Sequence, residues 1–359
     1  MKRNLSVIGK IQVIKTFLLS QFVYVLQSIL LKKEILDEIN TILFRFIWKR
    51  DSIDKKAWER IKRNVLCNPK DKGGLDMIDL HAFQNSFLTE WARKLLDKEE
   101  EYWKRFAFSF YERMGGEAVF KSNVTLKKIK GLETITSPFW RAVLKTWIEN
   151  NTIKQEIKRN DTICNNENIT INNNVLFIEK AIKVGIIYIK DAFINGQLIS
   201  FKQYEERVGK DPTNIIDYVA IKASISKVNT LITHEVSKKY YFKEYDIETI
   251  NRKKIYSLML KEETCFCEKM WENRLDRKLH CKTWQNLFTQ IKETKLIQLQ
   301  WKILHNIYPT NILLHKIGIK KSERCDFCEE TDVVEHNFFR CERVQPFWKI
   351  VSQLIEAKL

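Results

Sequence analysis

Four soft ligands crowd together near the carboxy-terminal end of the chain, in Cys325-Asp-Phe-Cys328, Val334-Glu-His336 and Phe339-Arg-Cys341. Their spacing is Cys-x2-Cys-x7-His-x4-Cys. Two cysteines separated by two residues form a turn tight enough for both thiolates to reach one zinc ion tetrahedrally. His336 and Cys341 must supply the other two ligands. They are five residues apart, about 140° round a regular helix, so an unbroken α-helix cannot aim both at one metal. The backbone is therefore expected to bend near Cys341, and Pro346 supports this, because proline suits the first turn of a new helix and not the continuation of an old one. The bland alternative is a set of buried free cysteines beside an unrelated histidine. With Cys325, Cys328, His336 and Cys341 all bound, no coordination position stays open, so one zinc here is structural and supplies no Lewis acid or activated water.

Charge divides this segment. Asp326, Glu329, Glu330, Asp332, Glu335 and Glu342 are set against Arg340 alone between residues 325 and 342, which makes the knuckle repellent to phosphate. Just upstream, Lys302, Lys316, Lys320, Lys321 and Arg324 outnumber Glu323, so Lys316, Lys320, Lys321 and Arg324 are candidate nucleic-acid contacts. A second basic stretch spans residues 49 to 72, with nine basic against four acidic side chains and Trp58 within it. Lys55, Lys56, Arg60, Lys62 and Arg63 are its candidate contacts.

The whole chain of 359 residues carries 62 Lys plus Arg against 45 Asp plus Glu, a net charge of +17 that favours a polyanionic partner. A basic but ordinary surface is the competing reading. At 44% hydrophobic content the chain is long enough to bury cores in two or three domains. Eight cysteines, with Cys67, Cys164, Cys265 and Cys281 scattered, suit a reducing, intracellular compartment. Cys265-Phe-Cys267 with His280-Cys281 makes a strained chelate and reads as small buried residues. The apolar run Phe17 to Leu26 has no cleavage site after it and is interrupted by polar residues, so it is read as a core helix and not as a signal peptide or membrane span.

Helical periodicity dominates, and the fold class is expected to be mainly α. Ile11, Ile14, Phe17, Leu18, Phe22, Val25, Leu26 and Ile29 make one apolar face. Ile35, Leu36, Ile39, Ile42, Leu43, Phe46 and Ile47 make a second, and the two helices should pair antiparallel between residues 5 and 48. Gly73-Gly74 punctuates the chain before a third helix through Leu80, Phe83, Phe87, Leu88, Trp91 and Leu95, on which Trp91 reads as core before it reads as a base-stacking ring. Nine asparagines between residues 150 and 174 mark a loop with a small hairpin at Ile169–Ile171 and Val175–Phe177. Asn195-Gly196 reads as a turn, and Gly318 as the end of the helix before it. The boundaries expected are a thumb-like helical region with a basic linker at 1–110, a helical middle region at 111–282 and a zinc domain at 283–359.

There is no glycine-rich phosphate loop, no Gly-x-Ser-x-Gly elbow, no His-Glu-x-x-His helix and no adjacent pair of aspartates; His234-Glu235 lacks its second histidine. A self-contained enzyme is not expected.

Two blocks together resemble the carboxy-terminal part of non-LTR (LINE-type) retrotransposon reverse transcriptases. Asn4 to Thr16, the stretch through Phe46-Ile-Trp48, and Lys72-Gly-Gly-Leu-Asp-Met-Ile-Asp79 look like the thumb and the segment after it. Leu299 to Thr310, the knuckle and Phe347-Trp348 look like the reverse transcriptase zinc-binding domain. In that family the palm with its catalytic aspartates lies upstream of the thumb, and this chain looks as though it begins inside the thumb. The resemblance therefore implies RNA template or target DNA as partners, a palm supplied by another chain, a nuclear or cytoplasmic location, no membrane, and no catalytic residue in this chain. The competing expectations are a zinc-stabilised protein-interaction module and an inert remnant of a mobile element.

Overall fold

The computed structural model describes residues 5–48, 59–151, 157–226, 240–261, 266–280, 282–290 and 293–357. The chain is mainly α. Short helices carry most of it, and among the described residues the paired strands form three two-stranded antiparallel hairpins, beside isolated bridges. The sequence reading cuts the chain into three consecutive regions; its contacts group it into two units. One comprises Met1–Phe22, Glu34–Asp79 and Lys261–Leu359, and the other Val23–Lys33 and Leu80–Leu260.

In the first unit, Ser6 caps the helix Val7–Val13, its Oγ accepting from the Gly9 N–H at 3.0 Å. A π-helical stretch, Ile14–Leu18, follows before the α-helix resumes at Leu19–Ser28. The extra residue in that turn shifts the phase of the apolar stripe. Ile11 and Ile14 point inward as expected, but Leu19 is 2% exposed where Leu18 is 39% and Phe17 is 67% exposed. Residues Lys33–Ile47 form the next helix, burying Leu36, Leu43, Phe44 and Ile47, while Ile35, Ile42 and Phe46 of the expected stripe face solvent. The first helix meets the C-terminal end of the second. Lys10, buried, donates from Nζ to the carbonyls of Phe46 at 2.8 Å and Ile47 at 3.0 Å, placing a cation on the unsatisfied oxygens of a helix C-terminus.

The Gly73-Gly74 turn has a steric reason at each position. Gly73 has φ 80°, and a Cβ on Gly74 would lie 1.9 Å from the Asn68 carbonyl oxygen.

In the second unit the helices Leu80–Leu96 and Pro138–Asn150 frame an aromatic core. Ser137 caps the latter, and Pro138 opens it. Trp91 is part of this packing: its ring meets Trp103, Phe139 and Trp140 edge-on at 5.6–6.1 Å, and its Nε1 donates to Gln27 O at 2.7 Å. A second apolar cluster gathers Ile163, Ile169, Ile189, Tyr204 and Ile221. The expected hairpin is present as Thr170–Ile171 with Asn174–Val175, turned by Asn172 and Asn173 at φ 50° and 63°. Two more lie at Phe193–Ile194 with Gln197–Leu198, where Asn195-Gly196 is a hairpin turn, and at Tyr241–Phe242 with Tyr245–Asp246.

No helix among the described residues is long and apolar enough to cross a membrane.

Candidate metal centre

The knuckle begins as a short hairpin. Arg324 bridges antiparallel to Thr331, the Cys325 N–H donates to Glu330 O at 2.7 Å, and the Asp332 N–H donates to Glu323 O at 3.0 Å. Between these rungs the chain turns over Cys325-Asp-Phe-Cys328, with Glu329 left-handed at φ 58°. The backbone N–H groups of Phe327 and Cys328 point at the Cys325 sulfur, and that of Glu330 points at the Cys328 sulfur. Such amide-to-sulfur bonds favour the thiolate, the form that binds a metal. Asn311 braces the hairpin from the next element: its N–H donates to Asp332 Oδ2 at 2.6 Å and its Nδ2 to Arg324 O at 2.7 Å.

The second half of the site solves the spacing problem in a way that periodicity alone does not suggest. Residues His336–Arg340 form a π-helical turn, closed by the Cys341 N–H donating to His336 O at 2.8 Å, and Cys341 then leaves in an extended conformation. An i→i+5 bond stacks residue 341 over residue 336, so both ligands reach the same side. The break expected near Cys341 is there, and Pro346 stands in the first turn of the helix Gln345–Glu356. Trp348 ties that helix back, donating from Nε1 to Phe338 O at 2.7 Å, its ring 5.3 Å from Phe339.

The four ligand atoms of Cys325, Cys328, His336 and Cys341 all lie within 4.8 Å of one another. Sulfur pairs 325–341 and 328–341 are 3.9 Å apart, and the Cys328 sulfur is 3.2 Å from His336 Nε2. Tetrahedral zinc with bonds of about 2.3 Å to sulfur and 2.0 Å to nitrogen requires ligand separations of roughly 3.5–3.8 Å. The donor set and its spacing fit zinc. His336 Nδ1 faces Glu330 Oε2 at 3.0 Å, off the line of a well-formed hydrogen bond but placed as a carboxylate that orients a ligating imidazole. At Cys325 burial works against ionisation, but the amides of Phe327 and Cys328 and the His336 ring outweigh it, and its pKa falls to about 7; burial pushes Cys328 up to about 11. Burial opposes protonation of His336, and the thiolate of Cys325 with the carboxylate of Glu330 overcomes it, raising its pKa.

The basic candidates are less uniform than their sequence. Lys316 and Lys321 are exposed, whereas Lys320 is paired with Asp326, and Arg324 lies 3.8 Å from Glu329. The acidic knuckle thus neutralises two of the four. Arg63 grips Glu59 through Nε and NH2 at 2.6–3.0 Å and covers the Phe44 ring at 5.0 Å. Arg60 is half-buried, which lowers its pKa, and burial together with the charge of Arg60 lowers that of Lys302. Lys62 is exposed just before the helix Arg63–Cys67. Lys55 and Lys56 lie outside the described residues, as do Cys265 and Cys281 of the strained chelate. Cys267 instead meets His305 Nδ1 at 3.6 Å.

Sequence reasoning missed Asn311, Glu330 and Asp332. No spacing rule marks them, since each acts on a backbone group or ring nitrogen that only the fold brings near.

Residues 251–348 match the family model for the zinc-binding domain in reverse transcriptase. An Arabidopsis thaliana protein whose name describes it as a ribonuclease H is 26% identical over 102 residues, which is 28% of this chain and 16% of that protein. The match therefore spans a small part of the relative's length. Cys325, Cys328, His336 and Cys341 all fall inside the matched residues.

Proposed function

We propose that this chain is a non-catalytic, carboxy-terminal part of a LINE-type retrotransposon reverse transcriptase that holds RNA template or target DNA through its phosphates. The observation that carries the reading is a preformed Cys3His tetrad within 4.8 Å, inside the stretch similar to a reverse transcriptase zinc-binding domain. A closed four-ligand site contributes shape and not chemistry. What remains to do work is a net charge of +17, which attracts polyanions without reading their sequence. Two-metal nucleotidyl transfer needs paired acidic side chains, and the sequence offers no adjacent aspartates. A palm with paired aspartates would provide them, and with nucleic-acid partners the protein would act in the nucleus or cytoplasm.

The test is binding of the full chain to single-stranded RNA and DNA over a salt series, with and without zinc, alongside template-directed nucleotide incorporation. The reading expects affinity that falls steeply with salt, weakens on chelation, and comes with no incorporation. Salt-insensitive binding, or incorporation by the chain alone, refutes it.

One observation favours a second reading. The helix Gln345–Glu356 leaves Phe347, Ile350 and Leu354 exposed beside the acidic knuckle, a surface suited to docking a protein. That mode predicts association with a protein partner that survives high salt.

A further inference from the structure

The helix Gln345–Glu356 runs for 12 residues without burying one of them. A helix that short is marginal by itself, and in a folded protein it is the covering of its apolar face that holds it. Trp348 is its anchor to the knuckle: half-buried, it donates from Nε1 to Phe338 O at 2.7 Å, and its ring lies 5.3 Å from those of Phe339 and Phe347. The apolar stripe points elsewhere. On a regular helix Phe347, Ile350, Val351 and Leu354 centre about 110° round from Trp348, and Phe347, Ile350 and Leu354 are 60%, 57% and 60% exposed.

Three features of this stripe select what covers it. Its pattern is a palindrome, since apolar residues at 347, 350, 351 and 354 keep their spacing when the helix is read backwards. Two copies lying antiparallel about a two-fold axis between residues 350 and 351 therefore set Phe347 against the partner's Leu354, twice, and Ile350 against the partner's Val351. A partner of another sequence needs no such symmetry. Charge agrees with this. Two copies at +17 each repel, so a face on which they meet must carry little charge. Lys349 and Glu356, the charged residues of this helix, both lie about 150–170° from the centre of the stripe. Pro346, Gln353 and Ile355 flank it, and Glu342 and Arg343 just before the helix are of opposite sign. Area is sufficient as well. Phe339, Phe347, Ile350, Leu354 and Ile355 each leave more than half of their surface in water. At roughly 100 Å² apiece that is about 500 Å² per copy and about 1,000 Å² for a pair, the lower bound of a specific interface and the range of a reversible dimer.

We infer that the apolar face of the helix Gln345–Glu356 docks the same face of a second copy of this chain, the two helices antiparallel about an axis between Ile350 and Val351. This rests on the second reading above, in which that helix docks a protein, and says which protein it is.

The experiment follows full, zinc-loaded chains by sedimentation velocity over a concentration series at low and high salt. The wild type should pass from monomer to dimer as concentration rises, and the transition should move to lower concentration in high salt, which screens the repulsion between the two cationic copies. Phe347→Lys and Leu354→Glu should each stay monomeric where the wild type is paired. Mixed in equal amounts they should pair again, because the antiparallel register sets the introduced lysine against the introduced glutamate at one contact and leaves the native pair at the other. Lys349→Glu, on the far side of the helix, should pair as the wild type does. Leu354→Ala keeps the helix apolar and should weaken pairing about tenfold, which provides the test if a charge at 347 or 354 lowers zinc content. A wild type that stays monomeric, a Phe347→Lys chain that still pairs alone, or a mixture that fails to pair refutes the inference. A dye that fluoresces on exposed apolar surface then separates the two readings: if it binds the wild-type monomer and Phe347→Lys loses that signal, the face is open to a different protein and the docking reading stands. If the substitution leaves the signal unchanged, both fall.

Discussion

Replacing Gly74 by Ala is the sharpest test of how the first unit is built. The new Cβ would sit 1.9 Å from the Asn68 carbonyl oxygen and 2.4 Å from its carbon, both backbone atoms that no rotamer change can move. Ordinary contact is roughly 3.5 Å, so the two strands of the turn must separate by more than an ångström. Several bonds cross that gap: Gly74 N–H to Pro69 O at 3.1 Å, Asp76 N–H to Asn68 O at 3.1 Å, and the N–H groups of Leu75 and Met77 to Leu66 O at 3.1 and 3.0 Å. Losing about three of them at ~1 kcal/mol each gives a cost of roughly 3 kcal/mol, a large part of the stability of an ordinary domain. Gly318→Ala is the control. Gly318 is left-handed at φ 75° with nothing within 4 Å of an added Cβ, so alanine there pays only the conformational cost, about 1 kcal/mol. Urea unfolding in zinc-saturated buffer, with equal m values, reads both. If Gly74→Ala costs no more than Gly318→Ala, the close approach is not what this turn requires.

Three further outcomes follow from the site and its surroundings. Cys328→Ser should lower zinc content from about one per chain towards zero and loosen the packing of the helix Gln345–Glu356, measured by elemental analysis and by quenching of tryptophan fluorescence; Cys67→Ser, at a buried thiol that is not one of the four, should retain the metal. Glu329→Gly should stabilise the knuckle by about 0.5–1 kcal/mol by relieving a left-handed residue, since its exposed contact with Arg324 contributes little, and a zinc-chelator competition that shows weaker binding would contradict this. Hydrogen bonds from Arg113 and Lys183 hold Glu179 at about 2, below its ordinary 4.5; because the folded pKa is depressed, its contribution is complete above 4.5 and lost as the pH falls towards 2. Glu179→Gln should therefore lower the melting temperature at neutral pH and narrow the gap to wild type in acid.

The Cys3His cluster was legible because coordination fixes both residue type and spacing, and Cys-x2-Cys is a local geometry. The manner in which His336 and Cys341 converge was half legible. Arithmetic on a 3.6-residue turn shows that an α-helix fails, but a π-helical turn and a kink answer that failure equally well, and only the Cys341 N–H to His336 O bond decides between them. The same device explains the shifted stripe at the amino-terminal end, where a π turn at Ile14–Leu18 puts Leu19 inside in place of Leu18. Asn195-Gly196 was legible as a turn and not as a hairpin, since flanking strands of two residues each are too short to show alternation. The basic candidates were visible as charge, whereas the pairing of Lys320 with Asp326 and of Arg63 with Glu59 is a matter of side-chain reach that composition does not encode.

The two blocks that resemble a thumb and a zinc domain lie far apart in sequence, yet they share the first unit, and one carbonyl joins them. Gly73 O accepts from Trp301 Nε1 at 3.0 Å and from a ring nitrogen of His305 at 2.7 Å, across 228 and 232 residues. A carbonyl can only accept, so His305 Nε2 carries the hydrogen and Nδ1 is left as an acceptor towards the Cys267 thiol at 3.6 Å. The rings of Trp284 and Trp301, 4.9 and 4.6 Å from that imidazole, enclose it. This arrangement gives the Gly-Gly pair a purpose beyond turning the chain. Gly73 takes the left-handed conformation and Gly74 permits the close approach, and together they set one backbone oxygen where a buried and a half-buried donor need it. Trp301 is fully buried, so without that acceptor its N–H would pay a desolvation cost of about 1–3 kcal/mol. The helix Thr294–Leu304 is thus fixed to the amino-terminal block, and Asn311, on the helix after it, braces the knuckle, so a lesion at either end should be felt at the other.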